Sequence, residues 1–364
     1  MPSRKMIGSL IVVIAIGSSW CQAGEGVFIP AAARADIVHD LARHTLYISN
    51  GTSLLRYDTV AQSFLSPINL GGNLKGMDMS PDGNTLVVAD DTQTGDNAWV
   101  YAINLDTLTS RQLSFPILRD DQGRAMESGT WSVAFGNDGY IYSTSDFPGS
   151  GGPPLRKIDP VSGATTRLMH LYMKTMLSPT DDRRLIAFVQ DFTYQNAKNV
   201  GIYRVSDGNV TLGQIPEYYN ASVDVTASSD GSRFAVVGLW NTDILNSALE
   251  PTQSLGSKGE TPIGAVFAPN ANVLYTTWWD ADGAHPLVQA FDSRTGQLLQ
   301  TVDTSPTPYL HYVYWGYQSG RMAVSQDGAL LFTTVPGGVK MYSVPEPVTL
   351  WLVLSVGLAV RRRV

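Results

Sequence analysis

A tight turn followed by an apolar strand returns seven times along this chain, and that recurrence restricts the fold more than any other feature. The clearest copies are Ser80-Pro81-Asp82-Gly83 before Thr85-Leu86-Val87-Val88-Ala89, and Gly136-Asn137-Asp138-Gly139 before Tyr140-Ile141-Tyr142. Ser178-Pro179-Thr180-Asp181 precedes Leu185-Ile186-Ala187-Phe188, and Ser228-Ser229-Asp230-Gly231 precedes Phe234-Ala235-Val236-Val237. Ala268-Pro269-Asn270 and Ser325-Gln326-Asp327-Gly328 follow, while Asp40-Leu41-Ala42-Arg43 is a degenerate first copy. Each turn has a local cause. Asp or Asn hydrogen-bonds its own backbone, and Gly supplies the positive φ that a tight reversal needs.

The turns are anchored at Asp40, Ser80, Gly136, Ser178, Ser228, Ala268 and Ser325, at spacings of 40, 56, 42, 50, 40 and 57 residues. A second hairpin recurs within most intervals, as in Leu155-Arg156-Lys157-Ile158-Asp159 before Pro160-Val161-Ser162-Gly163, and Val288-Gln289-Ala290-Phe291-Asp292 before Ser293-Arg294-Thr295-Gly296. Period-two alternation in these segments predicts strands with one buried face. Four strands per interval make one blade, and the 324 residues from Gly24 to Pro347 divide into seven units of about 46. The expected fold is all-β, a seven-bladed β-propeller. In the unit from Val223 to Glu260 the second hairpin is blurred by Asn241 to Gly259, so six blades with a long excursion is the alternative. Val27-Phe28-Ile29 is placed to complete the last blade and close the ring.

The Ser-Pro-Asp-Gly turn with its apolar strand, and the Tyr-Asp or Ile-Asp hairpins with Thr-Gly or Ser-Gly, resemble the YVTN and lactonase-type propeller superfamily. The likeness covers most of the body. It implies a fold and no single activity, because surface-layer repeats, sugar lactonases and binding scaffolds share it.

Both ends carry basic, apolar segments. Arg4 and Lys5 precede an apolar run from Met6 to Ile16 and a cleavage site at Cys21-Gln22-Ala23, the order of a secretory signal peptide cut by signal peptidase after Ala23. An uncleaved anchor is the competing reading of this signal helix, and the bulky Trp20 argues against acylation of Cys21. Cleavage would leave no cysteine, which removes disulfides and thiolate chemistry from the mature chain. At the other end Pro345-Glu346-Pro347 is followed by a short hydrophobic helix over Val348 to Val360 and by Arg361, Arg362 and Arg363. The prolines hold the segment extended, and the arginines place the helix end on the cytoplasmic side of a membrane. Tripeptide, apolar stretch and basic cluster together resemble the PEP-CTERM sorting signal. That resemblance implies transient handling by a membrane exosortase and processing near the tripeptide; an ordinary tail anchor is the alternative. The chain thus divides into a signal peptide (1–23), a propeller (24–343) and a sorting segment (344–364).

Charge narrows the partners. Without the five basic residues of the two tails, 20 basic and 32 acidic side chains remain, a net of −12. Such a body repels nucleic-acid phosphates and anionic lipid headgroups, so nucleic acid is excluded as a partner.

Chemistry is sparse. His39, His44, His170, His285 and His311 show no metal-ligand spacing. Trp278-Trp279-Asp280-Ala281-Asp282-Gly283 alternates acids before a glycine, which makes Asp280 and Asp282 weak calcium ligands against the reading of an acidic hairpin turn. Asp90-Asp91 with Asp96, and Asp120-Asp121, are similar acidic loops. A lactonase-like, metal-assisted hydrolase would gather carboxylates in the central channel, from Asp78, Glu127, Asp146, Asp191, Asp224 and Asp280. Trp131, Trp240, Trp278 and Trp315 are sugar-stacking platforms or core. There is no nucleophile elbow, Walker loop or dinucleotide fingerprint. The leading expectation is therefore a non-enzymatic binding or structural module, exported to the cell envelope or extracellular matrix, with polysaccharide or an envelope protein as partner and no cofactor.

Overall fold

The computed structural model describes residues 26–147, 152–190, 199–213, 224–238, 240–256, 260–280, 286–306 and 320–344. The expected signal peptide with its cleavage site at Ala23, the Pro345-Glu346-Pro347 segment, the terminal arginines and the helices expected at the two ends lie outside these. Within them, 28 strands form seven four-stranded antiparallel sheets, the blades of a β-propeller.

The inner strands are Arg34–Asp40, Leu74–Met79, Thr130–Phe135, Met176–Pro179, Asp224–Ala227, Glu260–Phe267 and Met322–Val324. Each adjoins the next, and the seventh adjoins the first, so the ring is closed. The fifth blade is complete: Thr242–Asn246 and Pro251–Leu255 form the hairpin that looked blurred in the sequence, which removes the six-blade alternative. Closure uses the chain's first strand. Val27–Pro30 pairs antiparallel with Gly338–Ser343 as the outermost strand of blade 7, in the register Val27 to Met341 and Pro30 to Gly338.

The recurring turns share one construction. Thr180 Oγ1 donates to Asp182 at 2.8 Å and Ser228 Oγ to Asp230 at 2.7 Å, while the Ser80 hydroxyl accepts from Thr85 N at 2.9 Å. The fourth copy is therefore anchored at Thr180, two residues beyond Ser178. Gly83, Gly139, Gly231 and Gly328 take φ of 72°, 78°, 67° and 74° here, and Arg183 and Ala271 hold the same left-handed position at 56° and 59°.

Blades pack face to face, so each interface carries an apolar cluster: Leu86 and Tyr47 between blades 1 and 2, Phe135 and Val87 between 2 and 3, Phe188 and Tyr142 between 3 and 4. A second strand is covered on both sides. Leu86, Val87, Val88 and Ala89 are all fully buried, where alternation with one covered face was expected. Alternation persists in the outer strands, such as Ser110–Pro116.

Inner strands expose an unpaired backbone edge to the ring, and side chains of the preceding blade satisfy it. Asp36 accepts from Met77 N at 2.9 Å, Asp78 from Phe135 N at 2.7 Å, Ser132 Oγ from Leu177 N at 3.1 Å and Ser178 Oγ from Ala227 N at 3.2 Å. These bonds stitch blades 1 to 5 in sequence.

Candidate functional site

The inner strands run from one face of the disc, the mouth, toward the face bearing the Ser-Pro-Asp-Gly turns. Near the mouth the inner strands of blades 1, 2 and 3 carry the same irregularity, a bulge between Arg34 and Ile37, between Leu74 and Met77, and between Thr130 and Val133. One extra residue per strand re-aims a side chain and strengthens the local twist. In blades 2 and 3 the bulges contain Lys75 and Trp131.

Lys75 Nζ lies 5.3 Å from the Trp131 ring centroid, and Lys174 Nζ, from the segment entering blade 4, lies 5.2 Å from the same centroid. Trp131 itself is buried at 5% exposure, so it serves as a spacer between two ammonium groups rather than as an open stacking platform. Asp91 stands 3.8 Å from Lys75, and Asp146 stands 3.7 Å from Lys174. All four charged side chains are partly buried, between 17% and 23% exposed. Local backbone holds three of the four in place: Asp91 N donates to Asn73 O at 3.0 Å, Asp146 N to Gly129 O at 3.0 Å and Lys174 N to Ser145 O at 3.1 Å. Burial pushes the Asp91 carboxyl up to about 6, against the pull of Lys75. Burial also lowers the Lys75 ammonium, with Asp91 opposing.

Deeper in the channel, Asp36, Asp224 and Arg321 each stand four residues before their blade's turn, on blades 1, 5 and 7. Arg321 Nε donates to Asp36 at 3.0 Å, and its terminal nitrogen pairs with Asp224. Blade 6 has Gly264 at this level. A Cβ there would come within 1.6 Å of Gly320 O, so the missing side chain lets the backbone before Arg321 pass close to the channel wall. The guanidinium bridges the ring interior. Burial pushes Asp224 up to about 6, with Arg321 opposing.

Two of the other expected carboxylates, Glu127 and Asp78, are structural. Glu127 pairs with Arg156, both essentially buried, and also accepts from Ser145 Oγ at 2.9 Å. Asp78 is held by Arg183 as well as by Phe135 N, uniting blades 2, 3 and 4 toward the turn face. Asp90 accepts from Trp99 Nε1 at 3.0 Å and Asn73 N at 2.9 Å, Asp96 pairs with Arg119, and Asp120 accepts from Arg124 N at 2.8 Å; Asp121 is exposed. Trp278 is buried edge-on to Phe291 with ring centroids 6.3 Å apart, and Trp240 is 48% exposed on the surface. His39 packs on Phe332, where burial lowers its pKa, and His170 contacts Gly152 O at 2.8 Å. Asp280 ends the second strand of blade 6, opposite Glu260. Asp191, Asp282, His285, His311 and Trp315 lie outside the described residues. Among the described residues no three His, Cys, Asp or Glu side chains converge as a metal ion would require.

Of the expected site residues, Trp131 and Asp146 therefore meet at the mouth, joined by Lys75, Asp91 and Lys174. The lysines were not singled out in the sequence, although Lys75 and Trp131 both stand five residues before their turns.

Solved structures share this architecture. The chain is similar to Kuenenia stuttgartiensis hydrazine synthase, with a TM-score of 0.63 at 16% identity over 88% of this chain and 98% of that one. It is equally similar to the Myceliophteria thermophila Cps50 (Swd1) β-propeller domain, with a TM-score of 0.63 at 12% identity over 89% of this chain and all of the domain. At these identities the likeness shows the propeller fold alone. No family model matches the chain, and no curated protein sequence matches it.

Proposed function

We propose that this protein is an exported β-propeller that binds carbohydrate at the cell envelope or in the extracellular polysaccharide matrix, with the channel mouth as its ligand face. The observation that carries the reading is the mouth cluster, two amines and two carboxylates set around one tryptophan, with Lys75 and Trp131 at bulges in consecutive blades. Partly buried charges gathered at the mouth of a closed ring support a binding role for that face.

Export rests on the signal peptide ending at Ala23 and the sorting segment with Pro345, Glu346, Pro347 and Arg361 to Arg363. The position of the chain ends supports it. Val344 N donates to Ala329 O at 2.9 Å, and Val27 pairs with Met341, so both ends leave the disc at the turn-face rim of blade 7. A tail held at a membrane from that rim would turn the mouth outward.

The test combines cell fractionation with polysaccharide binding. The chain is expected in the envelope or medium, shortened at both ends, and a Pro345-Glu346-Pro347 to Ala-Ala-Ala variant is expected to accumulate unprocessed. The purified full-length chain is expected to co-sediment with the native exopolysaccharide. Residence in the cytosol at full length, absence of co-sedimentation, or turnover across a panel of lactones would overturn the reading.

A further inference from the structure

We infer that the seam between blades 7 and 1 is an acid-sensitive joint, in which protonation of His39 loosens the closing strand Val27–Pro30 and opens the ring at that point. The channel mouth plays no part in it.

His39 lies one residue from the end of the inner strand of blade 1, in register with Leu46. Its ring packs across the seam on Phe332, with centroids 5.1 Å apart and planes tilted by 31°. Phe332 pairs with Met341, and Met341 pairs with Val27. The imidazole therefore stands against a cross-strand row that ends in the closing strand. Val27, Ile29, Phe332 and Met341 of blade 7 share one apolar cluster with Ile37 and Leu46 of blade 1. Blade 7 is thus joined to blade 1 by an apolar face with one imidazole at its edge.

The hydrogen bonding suits the neutral ring. Thr59 Oγ1 donates to His44 O at 3.0 Å, which leaves its lone pairs facing His39 Nε2 at 3.5 Å. Nδ1 is buried and has no partner among the described residues. A proton added there buries an N–H without an acceptor, together with a full charge. Three ionisable groups face the ring, Asp327 from the turn of blade 7 and Asp40 and His44 from blade 1. Both carboxylates are already engaged, Asp40 by Arg43, and Asp327 by Ser325 Oγ and Ala329 N. Burial is the largest influence and lowers the His39 pKa; Asp327 and Asp40 pull it up, and His44 adds to the lowering.

The direction of the pH effect follows. An unfolded imidazole titrates near ~6.5. With the folded value lower, the seam has its full strength above that pH and loses it as pH falls through the folded value. The weakening is local, because the protonated ring touches one blade interface and leaves the others unaltered. Asp224 titrates at about 6 and reaches the same seam through Arg321 and Asp36. A comparison with His39→Gln separates the two, since that change leaves the triad intact.

Hydrogen–deuterium exchange of the full-length chain, read by mass spectrometry at pH 7.5 and pH 5 and corrected for intrinsic rates, tests this. Protection of Val27–Pro30 and Gly338–Ser343 should fall at pH 5 by about threefold or more relative to Leu185–Val189 in blade 4. His39→Gln should remove that difference. Proton NMR of the unaltered chain should place the His39 midpoint below 6.5, the signal being assigned by its absence from the variant. Near-UV circular dichroism verifies folding, and His39→Phe takes the place of a His39→Gln chain that fails it. Equal loss of protection at the seam and in blade 4, a seam difference that persists in the folded variant, or a His39 midpoint at or above 6.5 would overturn the inference.

Discussion

Arg321 Nε donates to Asp36 at 3.0 Å, joining residues 285 positions apart across the seam where the ring closes. The same guanidinium pairs with Asp224 on blade 5, so one cation neutralises two buried carboxylates, each no more than 4% exposed. Removing it strands both. Arg321→Met is expected to lower stability by roughly 3–5 kcal/mol, the range for breaking a buried pair from one side. Equilibrium urea unfolding checks the value, and a loss below about 1 kcal/mol would mean that the triad is dispensable.

A second buried pair gives a paired prediction. Glu127→Leu leaves Arg156 unpaired beneath the ring of Phe115, and a loss of about 3–5 kcal/mol is expected. Adding Arg156→Leu should recover part of that loss, because two apolar side chains carry no uncompensated charge. The double-variant cycle is read by urea unfolding, and failure of the second change to restore any stability would show that the pair itself is not the source.

The pH dependence follows from two carboxylates pushed up by burial. Asp91 and Asp224 titrate at about 6 in the fold, whereas an unfolded Asp titrates near ~3.9. Between about pH 4 and pH 6 these two carboxylates therefore hold more protons in the folded chain than in the unfolded one, and their contribution to stability falls as pH rises through that window. Asp230 works in the opposite sense. Hydrogen bonds from Ser232 N and the Ser228 hydroxyl hold it at about 2, so its contribution is present above the unfolded value and lost as pH falls toward 2. Measured at pH 4.5 and 6.5, the urea midpoint of Asp91→Asn should fall less with rising pH, or rise more, than that of the unaltered chain.

Ring closure can be weakened at a single apolar contact. Ile29 is fully buried in the closing strand against the interface of blades 7 and 1. Ile29→Ala is expected to destabilise by about 2–5 kcal/mol, whereas the exposed neighbour Phe28→Ala should change far less. Thermal unfolding of the two variants provides the comparison. Equal effects would mean that the strand is held by its backbone ladder alone.

One position is strained for no evident gain. Gln62 is exposed and sits at φ of 51°, in the conformation that Gly163, Gly208 and Gly296 occupy in the corresponding turns of other blades. Gln62→Gly should stabilise by up to about 1 kcal/mol, the left-handed strain less the added freedom of the unfolded chain. A shift of the urea midpoint to higher concentration checks it.

The blades were legible because each is local. Asp82 and Gly83 act within four residues, and the strand after them follows at once. The closing strand was readable at Val27-Phe28-Ile29 because a ring with an unpaired edge needs a partner. The blurred hairpin of blade 5 was harder, since Leu249 rather than glycine takes the positive φ in its turn. The mouth cluster was not legible. Lys75 and Lys174 lie far apart in sequence and meet only because consecutive blades wrap around Trp131. Their shared level emerges once turns are aligned across blades, and the bulge that aims Lys75 leaves no mark in residue type. Asp146 and Trp131 were recognisable as types of interest, but the company they keep was a property of the ring.

The pairing of Val27–Pro30 with Gly338–Ser343 makes the earliest-synthesised part of the body wait for the latest. A polypeptide interrupted anywhere before the final strand is left as an open fan with a bare flank. Completion is thereby a built-in inspection: only a molecule made to its last blade can latch, and every shorter product advertises itself to proteases and to sticky neighbours.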